Sequence, residues 1–122
     1  KSGRAPRKKE QKTVFILRSG DLVAVRRRDK SALLGGLFEF PNAEGHLTDE
    51  EAAGQLTKWG ATVESMSPGI RKKHIFTHIE WEMTSYVVLC KDTPAAFLWV
   101  TKKEMTEVLA LPTAFRAFLS LI

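Results

Sequence analysis

Residues 71–78 read Arg-Lys-Lys-His-Ile-Phe-Thr-His and hold the densest chemistry in the chain. Arg71, Lys72 and Lys73 are cations suited to phosphate oxygens. Phe76, Thr77 and His78 set an aromatic ring, a hydroxyl and an imidazole side by side, a group able to stack on a base and hydrogen-bond its edge. Arg26, Arg27, Arg28 and Lys30 form a second basic cluster at a hairpin end. Charge of this kind can contact phosphates even on a neutral body. It can also keep sheet edges soluble, so charge alone does not choose between the two uses.

Other chemistries find less support. Asp49, Glu50 and Glu51 cluster at a helix start, where the helix dipole already accounts for them. Glu80 and Glu82 alternate with Trp81, which predicts a solvated strand face. His74 and His78 are four residues apart in a strand-and-loop context, His46 is distant, and no third ligand makes a zinc site. Gly35-Gly36 lacks the Lys-Ser/Thr that follows a phosphate-binding loop. No local signature places a histidine beside a Ser or Cys nucleophile. Cys90 is the single cysteine, which excludes an internal disulfide, and it reads as a packing residue at a strand end.

The elements that must position these residues are short. Thr13–Arg18 and Leu22–Arg28 flank Ser19-Gly20-Asp21 and predict a β-hairpin. Leu37–Phe40 is a strand stopped by Pro41. Thr48 and Glu51 form a capping box for a helix whose Ala52, Ala53, Leu56 and Trp59 follow helical spacing up to Gly60. Further strands are expected over 61–66, 70–76, 79–90 and 97–100. Thr101 and Glu104 cap a second helix, with Met105, Val108 and Leu109 as its apolar face. Phe115, Phe118, Leu119 and Ile122 form a third helical stripe. The pattern is mixed α+β, a sheet with about three short helices.

A chain of 122 residues, 43% hydrophobic and 27% charged, fits one soluble domain. No apolar run approaches the ~20 residues of a membrane span, so no membrane partner and an intracellular location are expected, cytoplasm or nucleoid in a bacterium. Six basic residues stand against Glu10 in residues 1–12, whereas the rest holds thirteen basic and thirteen acidic side chains. The whole excess of +5 therefore lies in that segment, which reads as a flexible basic arm or interdomain linker preceding a domain over 13–122.

Leu33-Leu34-Gly35-Gly36-Leu37-Phe38-Glu39-Phe40-Pro41 resembles the Leu-Leu-x-Gly-Leu-Trp-Glu-Phe-Pro segment in the C-terminal domain of the MutY adenine DNA glycosylases. His74-Ile75-Phe76-Thr77-His78 is similar to that domain's His-x-Phe-Ser-His. Leu111-Pro112-Thr113-Ala114-Phe115-Arg116 is similar to its Leu-Pro-x-x-x-Arg, and Trp99-Val100 falls where the family has Trp-Val. The blocks keep family order over nearly the whole chain after the arm.

The resemblance implies a Nudix-like fold that recognises 8-oxoguanine paired with adenine in duplex DNA. Adenine excision would belong to a separate N-terminal helical domain carrying a [4Fe-4S] cluster, whose catalytic acids and cysteines this chain lacks. No cofactor is expected in this chain, and a monomer is. By position, Phe76, Thr77 and His78 take the lesion-contacting role, with Thr77 keeping the family serine's hydroxyl and adding a methyl. Arg26, Arg27, Arg28, Arg71, Lys72 and Lys73 are candidate phosphate contacts. The rival within the same fold is a Nudix hydrolase, which needs a Glu-rich helix to hold a divalent metal. Here Thr57, Lys58 and Trp59 precede Gly60 where those carboxylates belong.

Overall fold

The computed structural model describes residues 6–122. Two long strands lie at its centre, β1 (Lys8–Ser19) and β7 (Ile79–Cys90). They run parallel, from Lys8 opposite Ile79 to Arg18 opposite Leu89. Val14, Phe15, Ile16 and Leu17 of β1 are all fully buried, because both faces of this strand are covered.

Each central strand has a divided outer edge. β1 meets β2 (Leu22–Arg27) only at Arg18↔Val23 and Ser19↔Leu22, and meets β4 (Asn42–Glu44) at residues 12–14. The expected hairpin therefore forms at its turn and then opens, and β2 goes on to pair β3 (Phe38–Glu39) and β8 (Leu98–Thr101). β7 likewise meets β6 (Lys72–Ile75) near its start and β5 (Val63–Pro68) near its end. Eight strands thus form one mixed sheet, as the α+β reading requires.

Alternation sends apolar side chains to two separate cores. On one face Phe15, Leu17, Tyr86 and Val88 pack with Ala52 and Leu56 of α1 (Asp49–Lys58). On the other, Val14, Ile16, Val25, Phe40, Trp81 and Met83 pack with Met105 of α2 (Lys102–Glu107), Phe115 of α3 (Thr113–Arg116) and Phe118. Both predicted capping boxes form: Thr48 Oγ1 accepts from the Glu51 amide at 3.2 Å, and Thr101 Oγ1 from the Glu104 amide at 3.1 Å.

The structure departs from three expectations. Residues 8–12, read as arm, are the first part of β1, paired with 79–83 of β7. Backbone pairing makes this stretch a strand, and its charged side chains hide that from an apolar-pattern reading. Residues 1–5 of the arm lie outside the described residues. The C-terminal stripe is one α-turn followed by a 3-10 helix over Ala117–Leu121, because i, i+3 spacing already buries Phe115 and Phe118 together. Val108 is 75% exposed, one residue past the end of α2, and does not join the core.

Cys90 is buried, and burial first, then the charge of Asp92, pushes its thiol up to about 11. Protonated at neutral pH, it is a poor nucleophile. The expected outcome is that a maleimide reagent at pH 7 labels the native chain at least about tenfold more slowly than the urea-unfolded chain, followed by mass spectrometry.

Candidate nucleic-acid interface

The Phe-Thr-His segment is the tip of the β6–β7 hairpin. The Phe76 amide donates to the Ile79 carbonyl at 2.7 Å, closing a two-residue turn whose central residues are Thr77 and His78. Both are exposed, while Phe76 is half-buried. The Lys8 amide of β1 donates to the His78 carbonyl at 3.0 Å, so the turn is gripped from the neighbouring strand as well. A hydroxyl and an imidazole therefore stand at solvent on a fixed backbone.

Phe76 faces inward instead. Its ring packs edge-on to His74 at 4.7 Å and to Trp81 at 4.9 Å between centroids. Trp81, 1% exposed, touches Phe115 at 5.7 Å and donates its indole N–H to Glu10 at 3.1 Å. The Lys12 ammonium and the Arg28 guanidinium each lie 4.9 Å from the Trp81 ring centre, a cation–π arrangement. This indole packs directly against Phe76 of the hairpin.

The two basic clusters behave differently. Arg26 donates to Glu39 Oε2 at 2.8 Å and to the Asn42 carbonyl at 2.7 Å. Arg28 donates to Glu39 Oε1 and to the Leu33 carbonyl, both at 2.6 Å. Arg27 bonds the Gly36 carbonyl at 3.0 Å and stacks on Phe38 at 4.5 Å. All three arginines, candidates for phosphate contact, also tie the 33–42 segment to β2, and Arg27 remains exposed. For Arg26 and Arg28 the cause is Glu39, only 3% exposed, whose buried carboxylate requires countercharge.

The loop they hold is tight. Leu34 sits at φ 61°, and a Cβ on Gly35 would collide with the Lys30 carbonyl. The Leu33–Pro41 block is thus a packing element, and a cleft of about 600 Å³ between it and α1 is lined by Lys12, Glu39, Asn42, Glu44, Gln55 and Trp59 among others. The Glu39–Arg28 pairing was not apparent from the sequence. The one available signal was an acid between two phenylalanines, Phe38 and Phe40.

Arg71, Lys72 and Lys73 remain at the surface. They border a groove of about 270 Å³ with His46, Glu82 and Thr84, which continues past Arg71 and Thr84 into a second of about 350 Å³ beside Tyr86. His46 Nε2 lies 2.8 Å from the Glu82 carbonyl, which can only accept, so that nitrogen carries the proton. The exposed hairpin tip and this basic strand are consecutive in sequence and share one end of the molecule.

Two of the three acids in the first turn of α1 are committed elsewhere. Glu51 Oε1 accepts from the Thr48 amide at 2.9 Å, and Asp49 accepts from the Tyr86 hydroxyl at 2.9 Å. Burial first, then this bond and the charge of Asp49, raises the Tyr86 phenol above its ordinary value. Lys58 and Thr57 are exposed in the last turn. Among the described residues, no group of three His, Cys, Asp or Glu side chains is placed to hold a metal ion. No helix among the described residues is long and apolar enough to cross a membrane.

A mixed sheet between one capped helix and a C-terminal helical layer is the architecture of a NUDIX domain. That family's model matches residues 13–121, and the chain belongs to it. Its fold is similar to the C-terminal domain of mouse MUTYH, solved in complex with human PCNA, with a TM-score of 0.75, 20% identity, and 92% of this chain and 86% of that chain covered. It is also similar to the MutT NUDIX hydrolase from Burkholderia pseudomallei (TM-score 0.72, 13% identity, 94% of this chain and 98% of that chain). The MutT protein from Methanosarcina mazei Go1 gives a TM-score of 0.64 at 14% identity over 97% of this chain and 95% of that chain. At these identities the likeness is one of fold.

Proposed function

We propose that this chain is the lesion-reading module of a MutY-type adenine DNA glycosylase, which recognises 8-oxoguanine opposite adenine in duplex DNA. The observation that carries the reading is the exposed Thr77–His78 tip on a hairpin held by two backbone hydrogen bonds. Oxidation at C8 turns the guanine N7 from an acceptor into an N–H donor and adds a carbonyl oxygen. A threonine hydroxyl can accept from that N–H while donating elsewhere, and the imidazole of His78 can meet the adjacent phosphate or base edge. Phe76 sets the angle of the tip from below. Arg71 and Lys72, both exposed, are in this reading the contacts to phosphates flanking the lesion.

Adenine excision belongs in this reading to a helical partner domain with a [4Fe-4S] cluster. Such a cluster takes four cysteine thiolates, and the single buried Cys90 does not fit it. The module by itself reads and does not cut. Nucleotide hydrolysis is disfavoured because α1 presents Thr57 and Lys58 near its end, where a metal needs carboxylates, and Lys58 would repel the cation.

The test joins the chain to its adenine-excising domain and compares 8-oxoguanine:adenine with guanine:adenine duplexes. Thr77→Ala is expected to lower the preference for the oxidised base by about tenfold or more, the worth of one specific base contact. Thr77→Ser keeps the hydroxyl and is expected to stay within about twofold of the parent chain. Unchanged preference in Thr77→Ala would remove Thr77 from the reading role.

A further inference from the structure

Glu80 stands directly behind the tip of the hairpin, opposite Ile75 in β6 and Lys9 in β1. Alternation with Trp81 predicts a solvated acid, yet Glu80 is 4% exposed. Arg7, just before β1, approaches Oε1 at 3.7 Å, and Lys73 of β6 approaches Oε2 at 3.5 Å. Oε2 is buried and accepts no hydrogen bond. A carboxylate with so little water and no donor on Oε2 is held there by charge, so its burial depends on the two cations staying close.

Those cations come from the two segments that enclose the tip. Arg7 leads into Lys8, whose amide holds the His78 carbonyl. Lys73 lies on the hairpin arm that leads into Phe76 and Thr77. Pulling both toward one buried carboxylate draws the start of β1 against the hairpin. The backbone bond from Lys8 to His78 is the direct beneficiary. It also gives Lys73 a partner within the hairpin: its ammonium lies 3.5 Å from Glu80 Oε2.

We propose that Glu80 is a positioning residue for lesion recognition, locking the start of β1 to the β6–β7 hairpin through Arg7 and Lys73 and so fixing Thr77 and His78. This rests on the reading of that tip as the lesion contact. The chemistry is an internal ionic clamp, and it makes the residues entering β1 part of the reading site.

The test uses the 122-residue chain in two measurements. Amide hydrogen exchange reports the order of the tip through the Lys8 and Phe76 amides, with Ile16 and Val87 as internal references. Fluorescence anisotropy at low salt compares binding to 8-oxoguanine:adenine and guanine:adenine duplexes. In Glu80→Gln the Lys8 and Phe76 amides are expected to exchange at least about fivefold faster while the references hold. Preference for the oxidised base is expected to fall with them. Lys73→Gln, at a half-exposed side chain that can be neutralised without unfolding, should give the same changes to a smaller degree. The double variant should add little to Glu80→Gln alone, as expected for partners in one interaction.

Unchanged exchange in Glu80→Gln would overturn the proposal. So would faster exchange with full preference in a background where Thr77→Ala abolishes it. If exchange quickens while neither Glu80→Gln nor Thr77→Ala alters preference, the hold of Glu80 on the tip stands and the assignment of the tip as lesion reader falls.

Discussion

Glu39→Ala will destabilise the domain by about 3–5 kcal/mol, measured by urea denaturation at neutral pH. The carboxylate it removes is the shared acceptor of Arg26, Arg28 and the Asn42 amide, at 2.8, 2.6 and 2.8 Å. Glu39 and Arg28 have side-chain exposures of 5% and 9%, so water cannot replace the missing partner of Arg28. Arg26, at 31%, is partly screened and contributes less to the loss. The uncompensated guanidinium, more than the lost attraction, sets the size of the effect. Glu39→Gln keeps the shape and an acceptor oxygen and should lie between the parent and the alanine variant. Glu64→Ala on exposed β5 is the matched control and should stay within about 0.5 kcal/mol. A Glu39→Ala loss no larger than that of the control would mean that the arginines find other partners and that the 29–41 loop is held by packing alone.

Local signals in the sequence were readable. Both capping boxes depend on residues three apart, Thr48 with Glu51 and Thr101 with Glu104, and both form as spacing predicts. The α+β pattern followed from alternation and helical stripes, and the MutY-like blocks pointed to the NUDIX fold that the family match establishes. What stayed hidden depends on pairing between distant strands. Nothing local announces that residues 8–18 run parallel to 79–89, so the first strand was divided and its charged start assigned to an arm. The same blindness placed Glu80 on a solvated face, because its burial is created by Arg7, far away in sequence, together with the packed hairpin. That Arg26 and Arg28, candidates for phosphates, are paired is hidden for the related reason that Glu39, among apolar neighbours, gives no hint of facing them. Charge counts along a chain record how many ions there are and not which ones already have partners. The exposed tip was legible because a two-residue turn needs only its own residues, and its anchoring to β1 was not.

Trp81→Ala is expected to cost about 3–5 kcal/mol, the range for emptying a fully buried large aromatic site. The indole is 1% exposed and lies where three structural features meet. Phe76 rests on it from the hairpin and Phe115 from the C-terminal layer. Lys12 and Arg28, both nearly buried, lie 4.9 Å from its ring. Removing the ring opens a cavity and takes one contact from each cation, which keeps its bond to Glu44 or Glu39, so collapse of the site is opposed by charges that cannot move into an apolar void. Trp81→Phe separates the functions of the ring. It retains a face for Phe76 and for the cations, loses the N–H bond to Glu10 and some volume, and should cost about 1–2 kcal/mol. If Trp81 acts only as core, Trp81→Phe will leave the exchange of the Phe76 amide tracking global stability. If it is the foundation of the tip, that amide will exchange faster than the decrease in global stability requires, because the ring beneath Phe76 has become smaller while the strands on either side remain paired. The geometry favours the second outcome: Phe76 touches Trp81 directly, and the exposed tip residues Thr77 and His78 are held from below by that ring pair and by two backbone bonds.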